Sequence, residues 1–419
     1  MSTGTKPAAE EAHVPAAAPG LRGWLRGVGE RATRSNIGAL PVLLGLAVIA
    51  VIFQIANHNF LTALNLTNLM IQIAAVGTIA VGVTLVLLLG EIDLSVGAVS
   101  GLAAGVMAVL SVKQGWPALA AVAAAILVGT AIGFLQGAWS FKLGVPSFIV
   151  TLAGLLGWQG ALLRVLGTTG TINLNDPFIT GIANRLLPLW LGWAAGIAFV
   201  LVYAGTALWS RRQRLQAGLP VPAAGGVILR IAVVSLGVLA AVALMSVDRS
   251  PNPRVQIAGV PSGVLIFLIF VVVFDLITRR TRFGRHIYAV GGNAEAARRA
   301  GINVDRVRIT VFMLGSTLAA CGGILAASRL YAVNQASGSG DVLLNSIAAA
   351  VIGGTSLFGG RGTVWSALLG ALVIGAISNG MDLLALSAAI KFMITGGVLL
   401  LAVTIDALAR RSRQAAGRA

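Results

Sequence analysis

The chain has 419 residues, of which 57% are hydrophobic and 10% charged, and its net charge is +17. Soluble domains carry about 25% charged residues, so this chain is too poor in charge to cover a water-facing surface. Its apolar runs approach the roughly 20 residues that cross a bilayer, which replaces the reading of two or three soluble domains from length alone. The basic excess does not point to nucleic acid, because no basic helix is interleaved with aromatic side chains that could stack on bases. It fits the collection of Lys and Arg in the cytoplasmic loops of membrane proteins.

Residues 1–37 are polar and rich in Ala, Pro and Gly, with no small-residue cleavage site after an apolar stretch. They are read as a cytoplasmic tail, and the first apolar run is expected to stay as a helix. Within the tail, Leu21, Trp24, Leu25 and Val28 share one helical face, which fits either an interfacial helix or a partly disordered segment.

A membrane domain over 38–408 follows. Backbone groups in lipid must pair within their own segment, so each apolar run predicts a helix. The runs lie near 38–56, 71–90, 94–111, 118–140, 147–166, 186–209, 229–247, 261–278, 309–329, 341–358, 363–380 and 387–406. Those at 94–111 and 341–358 are rich in Gly and Ser and admit re-entrant or broken helices. The count is even, twelve or ten.

Arginine distribution sets the orientation. Basic residues gather in the tail (Lys6, Arg22, Arg26, Arg31, Arg34), after the sixth run (Arg211, Arg212, Arg214, with Arg230), in the 279–308 loop, and in the 409–419 tail. With twelve spans all four segments fall on one side, the cytoplasm, so both termini are expected there. The fold class is an all-α polytopic membrane protein.

Two runs carry ladders of small residues, Gly97/Gly101/Gly105 and Gly129/Gly133/Gly137. One residue per turn makes a flat stripe for close helix approach, within one subunit or between two. The single cysteine, Cys321, sits in an apolar run and reads as a small buried hydrophobe. No cysteine pair or histidine cluster is spaced for a metal, and His13, His58 and His286 lie far apart. No nucleophile–base pairing is visible, so no catalytic residue and no cofactor is expected. The four lysines, Lys6, Lys113, Lys142 and Lys391, neither follow a glycine nor precede Ser or Thr, so the phosphate loop of nucleotide-binding proteins is missing.

Ionisable groups at bilayer depth are costly and face protein or a water-filled cavity. Glu91, Asp93 and Ser95 stand in Gly90-Glu91-Ile92-Asp93-Leu94-Ser95-Val96-Gly97, between two apolar runs. The segment reads as a helix break lining a pathway, as a loop in which Asp93 caps the next helix, or as both. A second interrupted segment, Gly353–Gly360, contains Ser356, and paired interruptions in two halves of a chain point to a transport path. Glu91, Asp93, Ser95, Asn345 and Ser356 are the pathway candidates. Ser346, Asn379, Asp382 and Lys391 read as interhelical or interfacial partners.

The 279–308 loop specifies a helix of about two turns over 294–300. Gly291-Gly292 signals a turn, Asn293 is an N-cap, Glu295 sits in the first turn and Gly301 is a C-cap. So short a helix is marginal alone and must pack on something.

Gly284-Arg285, Tyr288-Ala289, Gly291-Gly292-Asn293, Glu295-Ala296-Ala297-Arg298 and Gly301-Ile302-Asn303-Val304 together resemble the coupling-loop signature of ribose/xylose-type permeases of ATP-binding-cassette importers. Gly90–Gly97 resembles that family's Gly-Gly-Ile-Asp-Leu-Ser-Val-Gly, with Glu91 in place of the second Gly. Val145–Leu152 and Ile352–Gly362 match two further signatures, and the likeness runs from about 37 to 408. The 186–260 region is an addition similar to that of D-xylose-type permeases. The resemblance implies the permease fold of such importers, a pair of permeases, two ATP-binding subunits that receive the helix carrying Asn293, Glu295, Ala296, Ala297, Arg298 and Gly301, and a periplasmic sugar-binding protein. The competing readings are a secondary transporter driven by an ion gradient and an intramembrane enzyme.

Overall fold

The computed structural model describes residues 40–219, 221, 224–252 and 254–415; the proposed interfacial helix over 21–35 lies outside them. Every apolar run becomes helical. In chain order the helices are α1 (Leu40–Ala56), α2 (Ala63–Leu88), α3 (Val96–Ala108, continued by a π-helical turn, Val109–Lys113), α4 (Ala118–Leu143), α5 (Ser147–Leu166), α6 (Pro177–Asn184), α7 (Leu189–Gln216), α8 (Ala224–Ser246), α9 (Ser262–Arg280), α10 (Arg282–Gly292), α11 (Ala294–Arg299), α12 (Val304–Leu330), α13 (Gly340–Ile352), α14 (Trp365–Leu383) and α15 (Ala388–Ala415). Among the described residues nine are long and apolar enough to cross a membrane, and three apolar stretches, Val42–Ala56, Asp341–Ile352 and Ala388–Leu401, are shorter. The molecule is a multi-pass all-α membrane protein. Its two short strands, β1 (Thr171–Asn173) and β2 (Ala332–Asn334), pair antiparallel at one end of the bundle.

α2 begins well before its apolar run. Thr62 accepts a hydrogen bond from the Asn65 amide at 3.4 Å and so caps the helix. Asn65, which would be costly in lipid, is paired instead: its Nδ2 donates to Asn379 Oδ1 at 2.7 Å, and Asn379 Nδ2 donates back to Asn65 Oδ1 at 3.0 Å. This reciprocal amide pair fixes the register of α2 against α14.

α12 is the central post, packed along α2, α3 and α4. The glycine ladder on α4 makes that approach close, the ladder on α3 faces the segment before α13 and the side chain of Leu162, and both work inside this chain. A Cβ at Gly133 would stand 2.4 Å from Phe312 O, one at Gly129 2.6 Å from Ala320 Cβ, and one at Gly101 2.0 Å from Ser337 O. By contrast α7 and α8 pack chiefly on each other and expose apolar faces, with Trp190 at 70% and Leu236 at 73% exposure, as lipid contact requires.

The two Gly/Ser-rich runs are discontinuous helices. Gly82 of α2 lies against Gly315 of α12, and Ala75 and Ile79 lie against Gly322, so the two helices run antiparallel. Ser100, one turn into α3, lies against Gly323. At 1.5 Å per helical residue, Ser100 stands about 20 Å above Leu88, and α3 starts about 15 Å inside the bundle. Residues 90–95 therefore climb without forming a helix. α13 also starts inside: Gly338, just before it, touches Gly97 and Gly101, whereas Gly353 after it touches Ser366 at the start of α14. With 13 residues, α13 is about 20 Å long, short of a roughly 30 Å hydrocarbon core. The run expected over 341–358 thus ends at Ile352, because the glycines beyond it adopt left-handed conformations, Gly354 at φ +105°, Gly359 at +81° and Gly360 at +69°.

Candidate functional site

The two helix interruptions meet at the arginine-rich end of the bundle. The amide of Gly360 donates to Leu88 O at 2.9 Å. Gly291 sits on the same junction, where an added Cβ would be 1.8 Å from Leu88 O and 2.9 Å from Gly360 N. Gly291 and Gly292 are not the expected turn. They form the last turn of α10, an amphipathic helix not foreseen from the sequence, which buries Gly284, Ile287 and Val290. The glycines serve close backbone approach there, and the reversal comes one residue later, at Asn293. Thr281 starts α10 by accepting from the Gly284 amide at 3.1 Å, and Tyr288 Oη donates to Gly362 O at 2.9 Å. Burial pushes the Tyr288 hydroxyl above its ordinary pKa, so it remains a donor.

α11 spans six residues, Ala294–Arg299, rather than seven. Asn293 Oδ1 accepts from the Ala296 amide at 2.9 Å, and Gly301 closes the segment at φ +83°. Ala297 is 5% exposed and belongs to the core shared with Ile287, Val290, Val304 and Val307. Glu295 pairs with Arg298 at 3.0 Å and Arg299 at 3.1 Å on the exposed side, where such pairs contribute little to stability. The outer face of α11 is polar and open, while its inner face is fixed to the start of α12.

Glu91, Asp93 and Ser95 lie on the climbing segment. Glu91 pairs with Arg308 Nη2 at 3.2 Å and accepts from Ser147 Oγ at 2.6 Å. Asp93 is 4% exposed; its Oδ1 accepts from the Ser95 amide at 2.8 Å and from Ser95 Oγ at 2.6 Å, a turn just before α3, whose N-cap residue is Ser95 rather than the expected Asp93. Asp93 Oδ2 has no hydrogen-bond partner, and Asp93 borders a cavity of about 100 Å³ with Val83, Val86, Leu87, Ile92, Ile347 and Leu357. Ser95 Oγ is also 3.1 Å from the Gln136 side-chain amide. A hydroxyl has one proton. With that proton on Asp93, the amide fits with its NH2 toward Ser95, which also gives Gln136 Nε2 a partner.

The other two pathway candidates stand apart. Ser356 Oγ accepts from the Phe358 amide at 3.2 Å, inside its own loop. Asn345 is half-buried on α13, and Ile347 rather than Asn345 borders the cavity beside Asp93. Sequence reasoning passed over Gln136 and Arg308. Gln136, one residue before Gly137 in an apolar run, carried a signal in its polarity; Arg308 was lost in a loop rich in arginine.

A bundle of apolar helices with two interrupted helices facing a short capped helix at one end defines a polytopic membrane protein with a candidate conduit and a candidate docking element. The chain belongs to the family described as the permease component of the branched-chain amino acid transport system, which matches residues 65–403. It is 38% identical to the xylose transport system permease protein XylH of Escherichia coli K12 over 90% of this chain and 93% of that one. The corresponding protein of Haemophilus influenzae is 35% identical over 88% and 96%. The ribose import permease protein RbsC of Escherichia coli K12 is 33% identical over 87% and 92%. No solved structure gives a significant match.

Proposed function

We propose that the chain is the membrane-spanning subunit of an ATP-binding-cassette importer that carries a pentose, D-xylose in the first instance, across a bacterial inner membrane. The observation that carries this reading is the 38% identity to a xylose permease along nearly the whole of both chains. The interrupted helices and the capped α11 support it. Residues 38–408 form the permease domain, and the arginine-rich end faces the cytoplasm with both terminal tails. An ATP-binding subunit docks on α11 through Asn293, Glu295, Ala296, Arg298 and Gly301, with Ala297 anchoring the helix beneath. A periplasmic binding protein delivers the sugar to the opposite end, and two copies of the chain form the path. Glu91, Asp93 and Ser95 line its approach; Asn345 and Ser356 are kept as secondary candidates. Membership of a permease family sets aside the ion-driven transporter and the intramembrane enzyme.

The test is ATP-dependent uptake of labelled sugar into proteoliposomes holding the chain, its ATP-binding subunit and its binding protein. D-xylose uptake that excess unlabelled ribose fails to displace supports the assignment. Uptake displaced equally well by ribose would replace xylose with a broader pentose class.

A further inference from the structure

Arg308 is the one cation paired with Glu91 among the described residues, and it joins three elements. It lies one turn into α12, just past Val304 and Val307, which share a core with Ala297 of α11. Its Cζ is 5.1 Å from the ring centroid of Phe141, at the end of α4. Its Nη2 holds Glu91 Oε1 at 3.2 Å, and Glu91 Oε2 accepts from Ser147, the first residue of α5, at 2.6 Å. The side chains of Arg308 and Glu91 are only 23% and 17% exposed, so water screens the pair less than a surface pair. Thr151 Oγ, one turn further along α5, reaches Ile92 O at 3.4 Å. The chain carries this carboxylate where the motif it resembles has glycine, which could make neither bond.

We propose that the Glu91–Arg308 pair is a strap that transmits movement of α11 to α5 and to the climbing segment 90–95, so that Glu91 and Arg308 are positioning residues for transport. The inference rests on the reading of α11 as the docking element. When α11 moves, the first turn of α12 moves with it through their shared core. Arg308 then draws Glu91, and Glu91 draws the start of α5 through Ser147. Without the strap, movement of α11 still reaches α12 and the helices packed along it but is not passed to Glu91 and the start of α5, and ATP is hydrolysed with a smaller displacement of the conduit.

The test uses the complete reconstituted importer and measures sugar molecules carried per ATP hydrolysed. Glu91→Gln and Arg308→Gln are each expected to lower that ratio by about tenfold, a mid-range coupling for residues in contact. The ATP-binding subunit should still co-purify in full, and the double variant should be no worse than either single one. Arg308→Lys, which keeps the charge, should recover part of the ratio. An unchanged ratio in both single variants, or losses that multiply in the double variant, would overturn the strap. Failure of the docking reading shows separately: Glu295→Arg with Ala296→Trp, on the exposed side of α11, would then leave both co-purification and the ratio unchanged.

Discussion

Leu88 and Gly360 are joined backbone to backbone, with the Gly360 amide 2.9 Å from the Leu88 carbonyl. One residue ends a helix and the other lies in the loop between two more, so this bond ties the two interruptions together at the end of the bundle that carries α11. Gly291 packs over it at a distance no side chain could share.

Gly291→Ala is therefore expected to destabilise the chain by about 2 kcal/mol, because backbone rather than a flexible side chain must move to admit the methyl group. Gly292→Ala, where an added Cβ meets nothing within 4 Å, should be near neutral. Thermal unfolding in detergent compares the two.

The carboxylate of Asp93 is the shared acceptor of the Ser95 amide and hydroxyl. Asp93→Ala strips the Ser95 amide and hydroxyl of their acceptor and should cost about 1 kcal/mol. It should also impair uptake while the ATP-binding subunit remains bound; unimpaired uptake would leave Asp93 with only the turn before α3 to hold.

The glycine ladder on α4 can be read in the same way. Gly133→Leu drives a side chain into the Phe312–Met313 backbone and should cost about 3 kcal/mol or prevent folding. Gly157→Leu, on the open face of α5, should stay within about 0.5 kcal/mol of the parent. Melting temperatures of the isolated chain distinguish the two positions.

Much of this architecture was legible because lipid makes apolar length a strong signal. All twelve runs became helices, and the cap residues Asn293 and Gly301 behave as their side chains dictate. Depth was harder to read. That α3 starts about 15 Å inside the bundle depends on which glycines touch α12, a tertiary fact with no local signature. Glycine was ambiguous for the same reason: at Gly291 it marks close approach inside a helix, whereas at Gly360 it marks a left-handed turn. Of the five pathway candidates, Asp93 and Ser95 meet through one carboxylate and Glu91 joins the same segment, but Ser356 is occupied within its own loop.

The docking role of α11 predicts that Glu295→Arg with Ala296→Trp, both on its exposed side, abolishes co-purification of the ATP-binding subunit. The variant chain should still reach the membrane in normal amounts, since neither residue lies in a spanning helix. Retained co-purification would place the docking surface elsewhere.

The decisive measurement is sugar accumulation in proteoliposomes, made with the chain alone and again with its ATP-binding subunit, binding protein and ATP. Accumulation is expected only in the second preparation, because the conduit is moved from outside through α11. Concentrative uptake by the chain alone would contradict it.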